Sequence, residues 1–348
     1  MTGKSTMPVK KVLIDIKHPA QLNLFKGLSK ELVDENWDVT ISYLNRGKLP
    51  AIIASDYEAF KRIEIGKSNG SRWSIVWDGN VRRALAFLKL IMKHKYDICV
   101  SVSSIPLALA CSISGTPIIQ FSDDPERRRI NKINALLSTH LFFPPVMEEN
   151  KKISVFNCLK EWSYLSPLRF KPNPRVLDKY DLKPYEYIFM REVSNRSFNY
   201  YNQDESIIAS FASEIVYDGK MVLSLEDKST IAKFPAHWIV LNEPVEDIHS
   251  IIYYSRLVLS SGDSMAREGG LLGVPSIYCG IREMKANSIL IDKGMLKHTP
   301  GRTALGAIGE ILKLPFNEVE QINKRKDLAE SWDDMIVFMK TQVNKYKH

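Results

Sequence analysis

The segment from Leu257 to Ile277 contains the residue types that bind a phosphorylated ligand. An apolar run leads into the loop Ser261-Gly262-Asp263-Ser264-Met265, which opens a helical pattern with Glu268 about one turn further along. Backbone amides at the start of a helix, together with the positive end of its dipole, form a site for an anion. Glu268 could accept hydrogen bonds from hydroxyls attached to that anion. A nucleoside diphosphate carries both groups, phosphate and ribose.

A second polar loop, Asp15-Ile16-Lys17-His18-Pro19-Ala20-Gln21, follows the first apolar run of the chain. Because histidine titrates close to neutral pH, His18 could act as a general base on an acceptor hydroxyl. Lys17 and Gln21 are then predicted on the acceptor side of the site. A histidine just before a proline also suits a helix cap, so two interpretations of His18 stay open.

The third candidate is an aspartate-rich loop, Phe121-Ser122-Asp123-Asp124-Pro125-Glu126-Arg127-Arg128-Arg129. Clustered carboxylates can act as a general base or bind hydroxyls, so Asp124 is a catalytic candidate and Asp123 and Glu126 are acceptor-side candidates. The three arginines could bind phosphate. The same pattern also fits a helix start, with Asp123 or Asp124 as the cap and Pro125 as the first helical residue.

A fourth candidate, Arg191, follows the apolar run that begins at Tyr187. A guanidinium there could pair with the β-phosphate of a nucleotide, and a salt bridge with Glu192 is an equal alternative. His237 and His249 are predicted to be ordinary surface or packing residues.

The elements that must position these loops alternate between apolar strands and helical patterns. The first series predicts strands at 12–16, 38–43, 62–65, 98–102, 117–121 and 140–143, with helices at 22–33, 81–95 and 107–113. The second predicts strands at 187–190, 221–225, 238–241, 257–260 and 274–278, with helices at 204–215, 246–255 and 264–272. Such alternation indicates an α/β fold of two Rossmann-like domains with parallel sheets. Since ligands bind at the carboxyl ends of such strands, we expect the domains to face each other across a cleft.

The predicted domain boundaries follow from this alternation. We expect an acceptor domain over 1–165, a proline-rich linker over 166–186 and a nucleotide-sugar-binding domain over 187–316. Helices over 317–348 are expected to cross back to the first domain, since the apolar side that contains Trp332 and Ile336 needs a partner.

Composition sets the broad class of protein. A chain of 348 residues with 45% hydrophobic and 25% charged residues predicts two soluble globular domains. The formal charge of +8 suits an anionic partner. The sequence lacks a basic stripe with interleaved aromatic residues, so we do not expect it to bind nucleic acid. Four cysteines without short paired spacing predict reduced core residues and no metal site. Without a signal peptide or spanning segment, we expect a cytoplasmic protein, which could still touch the inner face of the membrane.

The basic helical pattern over 82–95 has two interpretations. Its apolar and cationic residues could lie on an anionic membrane and bring the site near a lipid-linked acceptor. The alternative, which we favour, is a core-packing helix with a solvated basic face, as a parallel sheet requires.

Together these motifs resemble an uncharacterised family of glycosyltransferase-like proteins, a domain of unknown function. The resemblance is carried by the segment from Val12 to Phe25, by the loop from Phe121 to Glu126, and by Gly262-Asp263-Ser264-Met265-Ala266-Arg267-Glu268. It implies the GT-B architecture of nucleotide-sugar glycosyltransferases and of the non-hydrolysing UDP-N-acetylglucosamine 2-epimerases.

The resemblance also implies roles for individual residues. The backbone from Gly262 to Met265 would bind the diphosphate, Glu268 the ribose, and His18 would be the base. The loop at Asp123 matches the place where the epimerases keep a His-x-Glu-Ala-Gly stretch, which this chain lacks. The chain also has Asp263-Ser264 where the family usually has Gly-Thr, so an aspartate adds negative charge beside the expected phosphate.

The function predicted from the sequence is a metal-independent, inverting glycosyltransferase. It would use a nucleoside-diphosphate sugar as substrate, need no cofactor, and glycosylate a glycan or lipid-linked hydroxyl in cell-surface polysaccharide or glycolipid synthesis. The alternatives are a nucleotide-sugar 2-epimerase and a non-catalytic sugar-nucleotide-binding protein. The sequence makes no prediction of oligomeric state.

Overall fold

The computed structural model describes residues 9–67, 77–194, 203, 206–242 and 245–346. The chain divides into two compact units. Unit 1 contains the chain up to Tyr164 together with the segment from Trp332 onwards, and unit 2 is Leu165–Ser331.

A parallel sheet forms the centre of unit 1. Its strands within the described ranges are β1 Lys11–Ile16, β2 Asp38–Asn45, β3 Lys61–Lys67, β4 Ile98–Val102, β5 Ile118–Phe121, β6 His140–Phe143 and β7 Ile153–Val155. Their spatial order is β3-β2-β1-β4-β5-β6-β7. The chain reverses its direction across the sheet beside β1, which pairs with both β2 and β4. The loops after β1 and β4 therefore flank the point where α/β sheets bind ligands.

Helices connect these strands and bury the apolar residues of the sheet. They are α1 Pro19–Asp34, α2 Leu49–Asp56, α3 Arg83–His94, α4 Ile105–Ser114 and α5 Arg128–Leu137. The short helix α6, Trp162–Leu165, follows the last strand and ends at the boundary between the two units. A π-helical turn, Trp77–Arg82, precedes α3. The central strand β1 is apolar on both faces, and Val12, Leu13 and Ile14 are fully buried. This burial is expected for a parallel strand with helices on either side.

Unit 2 repeats the architecture with a second parallel sheet. Its strands in the described part are β8 Tyr187–Glu192, β9 Lys220–Leu225, β10 Ile239–Val240, β11 Leu257–Ser260, β12 Ser276–Tyr278 and β13 Leu296–His298. The spatial order is β10-β9-β8-β11-β12-β13, with the reversal between β8 and β11.

The helices of unit 2 are α7 Ile248–Tyr253, α8 Asp263–Leu271, α9 Lys285–Asp292, α10 Ala304–Lys313 and α11 Glu318–Ser331. Turns of 3-10 helix occupy Pro174–Tyr180, Ile208–Glu214, Lys228–Lys233 and Gly301–Thr303. Helix α8 stops before Gly273, whose φ of +75° is accessible to glycine without strain.

The last helix, α12 Met335–Asn344, belongs to unit 1 and packs on α1. Lys340 lies between Glu31 and Glu35 of the α1 region, with Nζ–Oε distances of 2.9 and 3.1 Å. Phe338 packs edge-on against Phe142 of β6. The apolar side of α12 is therefore buried in unit 1.

Two expected boundaries differ from the structure. The segment expected as a linker, 166–186, lies within unit 2, where the amide of Asn173 donates to Ser250 Oγ at 2.9 Å. One of its prolines, Pro174, starts a 3-10 turn, with Asn173 as the cap. The tail forms two helices, and only residues from Trp332 onwards join unit 1, since α11 stays in unit 2.

The predicted class of two Rossmann-like α/β domains with parallel sheets is confirmed. The helix predicted over 204–215 is a 3-10 helix over Ile208–Glu214, and residues 204 and 205 lie outside the described residues. None of the helices in the described ranges combines the length and apolar character needed to span a bilayer.

Candidate functional site

The loop between β11 and α8 is shaped by its own side chains. Ser260 Oγ donates to the carbonyl of Gly262 at 2.7 Å and accepts from its amide at 3.1 Å. Gly262 is the N-cap residue and supplies no side-chain cap, and the first bond of the helix runs from the Ala266 amide to the Gly262 carbonyl at 3.3 Å. The amides of the first turn of α8 have no acceptor within the helix and point out of its start. They include those of the half-buried Ser264 and Met265. This geometry suits an anion.

The charge of Asp263 is neutralised within α8. Its Oδ2 lies 3.0 Å from Nη1 of Arg267, and both side chains are buried. The same nitrogen of Arg267 donates to Asn287 Oδ1 of α9 at 3.0 Å. The aspartate that replaces the usual glycine therefore leaves no net negative charge at the helix start.

Ser261 is held by a buried carboxylate. Its hydroxyl donates to Glu192 at the end of β8 and accepts from the Val193 amide at 2.9 Å. Glu192 also accepts from the Ile208 amide at 2.7 Å. Burial raises the pKa of Glu192, and hydrogen bonds from Ser261 and from the Ile208 amide oppose that rise. Glu192 thus joins the loop after β11 to the 3-10 turn that begins at Ile208.

Arg191 is adjacent to this loop. Its carbonyl accepts from the Ser261 amide at 3.0 Å, and its Nη1 donates to Ser224 Oγ of β9 at 2.7 Å. Neighbouring residues of a strand point to opposite faces, so Arg191 and Glu192 serve different partners. The structure therefore places the backbone of Arg191 beside Ser261, while its guanidinium lies against Ser224.

Glu268 has a histidine partner that sequence reasoning missed. Its Oε2 lies 3.2 Å from His249 Nε2 on α7, and both side chains are largely buried. The His249 ring also packs edge-on against Phe170, with a centroid distance of 6.2 Å. Two side chains 19 residues apart meet here only because α7 and α8 pack together, which no sequence spacing indicates.

In unit 1, His18 caps α1. Its Nδ1 accepts from the Ala20 amide at 3.2 Å, and the ring is exposed. In the neutral ring this bond places the proton on Nε2. A base acting through Nε2 needs the other tautomer, and therefore must give up the cap. Beside it, Gln21 Oε1 accepts from the Lys17 amide at 2.8 Å.

Lys17 turns inward from the same loop. Its Nζ donates to the carbonyl of Ser103 at 2.8 Å. Burial lowers the pKa of Lys17 to about 8; Asp15 opposes this shift, and Arg83 and Arg127 add to it. Ser103 has a φ of +46°, an uncommon left-handed conformation for a residue with a side chain.

A buried ion pair that sequence reasoning also missed supports this loop. Asp15 Oδ1 lies 2.9 Å from Arg83 Nη2, and both side chains are almost fully buried. The carboxylate also accepts from Ser42 at 3.1 Å and from Ser104 at 2.8 Å. Because Asp15 thereby bonds to β2, α3 and the start of α4, it fixes the ends of β1 and β4 relative to each other.

The aspartate-rich loop is held by cations. Asp123 is paired with Lys160, and Asp124 Oδ2 lies 2.9 Å from Arg127 Nε. Asn131 Nδ2 donates to the Asp124 carbonyl at 2.8 Å, while the Glu126 side chain is exposed. The positive charge of Arg127 also helps to lower the pKa of Lys17.

The prediction that an aspartate caps a helix here is wrong. Helix α5 begins at Arg128, its N-cap residue is Arg127 without a side-chain cap, and Pro125 lies before the helix. Asp123 and Asp124 instead pair with Lys160 and Arg127, so their carboxylates stabilise the loop.

Within the ranges described, no group of three or more His, Cys, Asp or Glu side chains is arranged to hold a metal ion. All four cysteines are buried and carry free thiols.

Two Rossmann-like units with parallel sheets define the GT-B class of fold. The chain belongs to the family described as Protein of unknown function (DUF354), whose model matches residues 10–348. It is also similar to an uncharacterized protein of Methanocaldococcus jannaschii, with 22% identity over an alignment of 312 positions that covers 83% of this chain and 87% of that protein.

Solved structures share the fold at low sequence identity. The UDP-GlcNAc 2-epimerase of Neisseria meningitidis bound to UDP-GlcNAc has a TM-score of 0.70 and 14% identity, covering 96% of this chain and 100% of that chain. The spinosyn forosaminyltransferase SpnP has a TM-score of 0.66 and 11% identity, covering 98% and 100%. The glycosyltransferase VinC in complex with dTDP has a TM-score of 0.63 and 10% identity, covering 97% and 98%. These likenesses show the fold.

Proposed function

We propose that this protein is an inverting, metal-independent glycosyltransferase that moves a sugar from a nucleoside diphosphate to a hydroxyl acceptor. The observation that carries the proposal is the start of α8. There a loop without a side-chain cap precedes a helix whose Glu268 is held in place by His249. Proteins of the same fold include a transferase in complex with dTDP and an epimerase bound to UDP-GlcNAc.

Unit 2 is the proposed donor side. The amides from Gly262 to Met265 would bind the diphosphate, and the helix dipole would stabilise the leaving group without a cation. Arg191, whose backbone bonds to Ser261, would supply a positive charge. Glu268 would accept from the ribose hydroxyls, with His249 fixing its orientation.

Unit 1 is the proposed acceptor side, with Lys17, Gln21, Asp123 and Glu126 near the acceptor. His18 is the proposed base and Asp124 the competing assignment. As a base, His18 must release the Ala20 amide, since the cap uses Nδ1. Asp124 already carries a negative charge paired with Arg127, and it would need to exchange that partner for the acceptor hydroxyl.

A nucleotide-sugar 2-epimerase is the second candidate, because the epimerase from Neisseria meningitidis matches 96% of this chain in fold. The two reactions differ in their requirements. An epimerase converts the nucleotide sugar alone, whereas a transferase releases nucleoside diphosphate only when an acceptor is present. A non-catalytic binding protein would bind the nucleotide sugar without turnover.

The test starts with thermal shifts of the full chain against UDP-, GDP-, dTDP- and CMP-linked sugars, since a ligand of the native state raises its stability. The stabilising donor is then incubated alone, and with glycan and lipid-linked acceptors of a bacterial envelope extract. Acceptor-dependent release of nucleoside diphosphate from a UDP-, GDP- or dTDP-linked sugar supports the transferase, and a changed sugar without acceptor supports the epimerase. Acceptor-dependent release of CMP from a CMP-linked sugar would contradict a nucleoside-diphosphate donor. Stabilisation by none of the donors would overturn the proposal. We place the reaction in cell-surface polysaccharide or glycolipid synthesis on the cytoplasmic side of the membrane.

A further inference from the structure

Three neighbouring helices of unit 1 present aliphatic side chains to solvent. Leu85 and Met92 of α3 are 62% and 67% exposed, Ile113 of α4 is 63% exposed and Leu136 of α5 is 81% exposed. Single exposed apolar residues are common on proteins, so their grouping is what matters here. Helix α3 packs against α4, and α4 packs against α5, so these side chains belong to one continuous surface.

The topology places the three helices on one face of the sheet. They connect β3 to β4, β4 to β5 and β5 to β6, and each connection moves in the same direction across the sheet. Right-handed crossovers in a single direction leave their helices on the same side. Helix α1 connects β1 to β2 in the opposite direction, so it lies on the other face. We call the surface of α3, α4 and α5 the cationic-aliphatic face.

Cations are interleaved with these aliphatic residues. On α3, Lys89 and Lys93 follow Leu85 at intervals of four residues, so they lie on the same exposed side of the helix. On α5, Arg129 and Lys132 precede Leu136 by seven and four residues and are likewise exposed.

Negative charge is absent from the three helices. Their sequences RALAFLKLIMKH, IPLALACSIS and RRINKINALL contain no aspartate or glutamate, although the whole chain has 40 acidic residues. Arg83 of α3 does not contribute to the face, since it is buried against Asp15. The three helices therefore contribute cations to the face and no acidic side chain.

We propose that the cationic-aliphatic face binds the surface of an anionic lipid bilayer. Aliphatic side chains between cations can enter the boundary between headgroups and acyl chains while the ammonium and guanidinium groups bind lipid phosphates. An RNA or DNA partner is less well matched, because the exposed apolar residues are aliphatic and offer no ring for base stacking. This attachment is peripheral and does not depend on the proposed transfer reaction.

The helix predicted over 82–95 had two interpretations, packing in the core and contact with a membrane. In the structure, each interpretation fits a different side of the helix. Ala84, Phe87 and Ile91 pack in the core, as the core-helix interpretation requires. Leu85, Lys89 and Met92 lie on the opposite side, which is the side available to a membrane.

The experiment is co-sedimentation of the full chain with vesicles. One set is phosphatidylcholine alone, and the other contains about a third of phosphatidylglycerol. We expect binding to the acidic vesicles, weak binding to the neutral ones, and partial release as salt screens the lysines and arginines. The variant Leu85→Ser/Leu136→Ser removes aliphatic contacts, and Lys89→Glu/Lys93→Glu reverses two charges. Each should lower the partition coefficient by about tenfold or more.

A matched control is available on the opposite face of the same sheet. Lys30→Glu/Val33→Ser changes an exposed cation and an exposed aliphatic residue of α1, and should leave vesicle binding unchanged. Circular dichroism and melting temperature verify the fold of each variant. Equal losses in the control, no binding of the unmodified chain to acidic vesicles, or tight binding of a DNA or RNA oligonucleotide with no vesicle binding would overturn the proposal.

Discussion

The carboxylate of Asp263 lies 3.0 Å from the guanidinium of Arg267, one helical turn further along α8. Arg267 is fully buried and reaches its aspartate, Asn287 and the sulfur of Met284 with the same nitrogen. This pair removes the objection that an aspartate repels a phosphate at the start of the helix. It also makes the loop sensitive to the loss of either partner, since a buried charge left alone is costly.

Removing the cation should therefore destabilise unit 2. We expect Arg267→Met to lower the free energy of unfolding by about 3–5 kcal/mol, because Asp263 is left buried without its cation. Asp263→Asn/Arg267→Met should recover much of that loss, since no unpaired charge remains. Urea unfolding of the three proteins measures the effect. A double variant as unstable as the single one would show that packing of Arg267, and not its charge, is what matters.

The donor side is tested at Glu268. Glu268→Ala should weaken nucleotide-sugar binding by roughly tenfold or more, as a hydrogen bond to a charged group contributes about 1.5–3 kcal/mol. His249→Ala should cause a smaller loss, since His249 would orient Glu268 and not contact the ribose itself. Calorimetric titration with the stabilising donor measures both, and Glu310→Ala is a control on an exposed glutamate of the same unit. Unchanged affinity in Glu268→Ala would remove that residue from the site.

Helix α8 packs on its sheet through a glycine. A Cβ at Gly269 would lie 2.5 Å from Ser276 Oγ and 2.8 Å from Val258 Cγ2. We expect Gly269→Ala to cost about 1–3 kcal/mol in stability by overpacking. Gly306→Ala in α10, where a Cβ meets nothing within 4 Å, is the matched control and should stabilise by up to about 1 kcal/mol. A melting temperature that rises in both variants would show that α8 moves away from the sheet without penalty.

The sequence was sufficient for the architecture because buried parallel strands are continuous apolar runs. The runs that became β1, β4, β8 and β11 marked both sheets and the loops at their carboxyl ends. Strands β7 and β13 escaped prediction, since they have three residues each and carry polar side chains such as Ser154 and Lys297.

The candidate site could be predicted only where it is local in sequence. The loop from Ser261 to Met265 follows from a strand, a glycine and a helix start. The Asp263–Arg267 pair has a spacing of four residues and could have been found from that spacing. Contacts between separate elements could not, and His249 with Glu268 and Asp15 with Arg83 are of this kind. Such pairs depend on which helix packs beside which strand, a property of the whole fold.

The catalytic assignment can be separated from helix capping. His18→Asn replaces the imidazole with a good N-cap residue, whereas His18→Ala removes both cap and base. If His18 is the base, both variants should slow transfer by roughly 10²-fold, and only His18→Ala should lose about 1 kcal/mol of stability. Donor binding should stay nearly intact in both. Full turnover in His18→Asn together with loss in Asp124→Asn would move the base to the aspartate-rich loop.

The Lys17 ammonium should make the stability of the protein depend on pH. The pKa of this buried ammonium falls from 10.5 to about 8 in the folded protein, so the unfolded chain binds more protons between these two values. The free energy of unfolding therefore contains a contribution that rises with pH from about 8 to about 10.5. At about 1.4 kcal/mol per pKa unit, a fall of about 2.5 in the pKa limits its size to about 3.5 kcal/mol.

Since tyrosines and cysteines titrate in the same range, the quantity to measure is the difference between the unmodified chain and Lys17→Met. As the pH rises from 8 to 10.5, the free energy of unfolding of the unmodified chain should rise relative to that of Lys17→Met, because the variant has no ammonium to desolvate. Lys30→Met, at an exposed lysine of α1, is the control and should show a much flatter difference. If the difference in free energy of unfolding between the unmodified chain and Lys17→Met did not change with pH, the Lys17 ammonium would be as well solvated in the folded protein as in the unfolded chain. That result would contradict the lowered pKa.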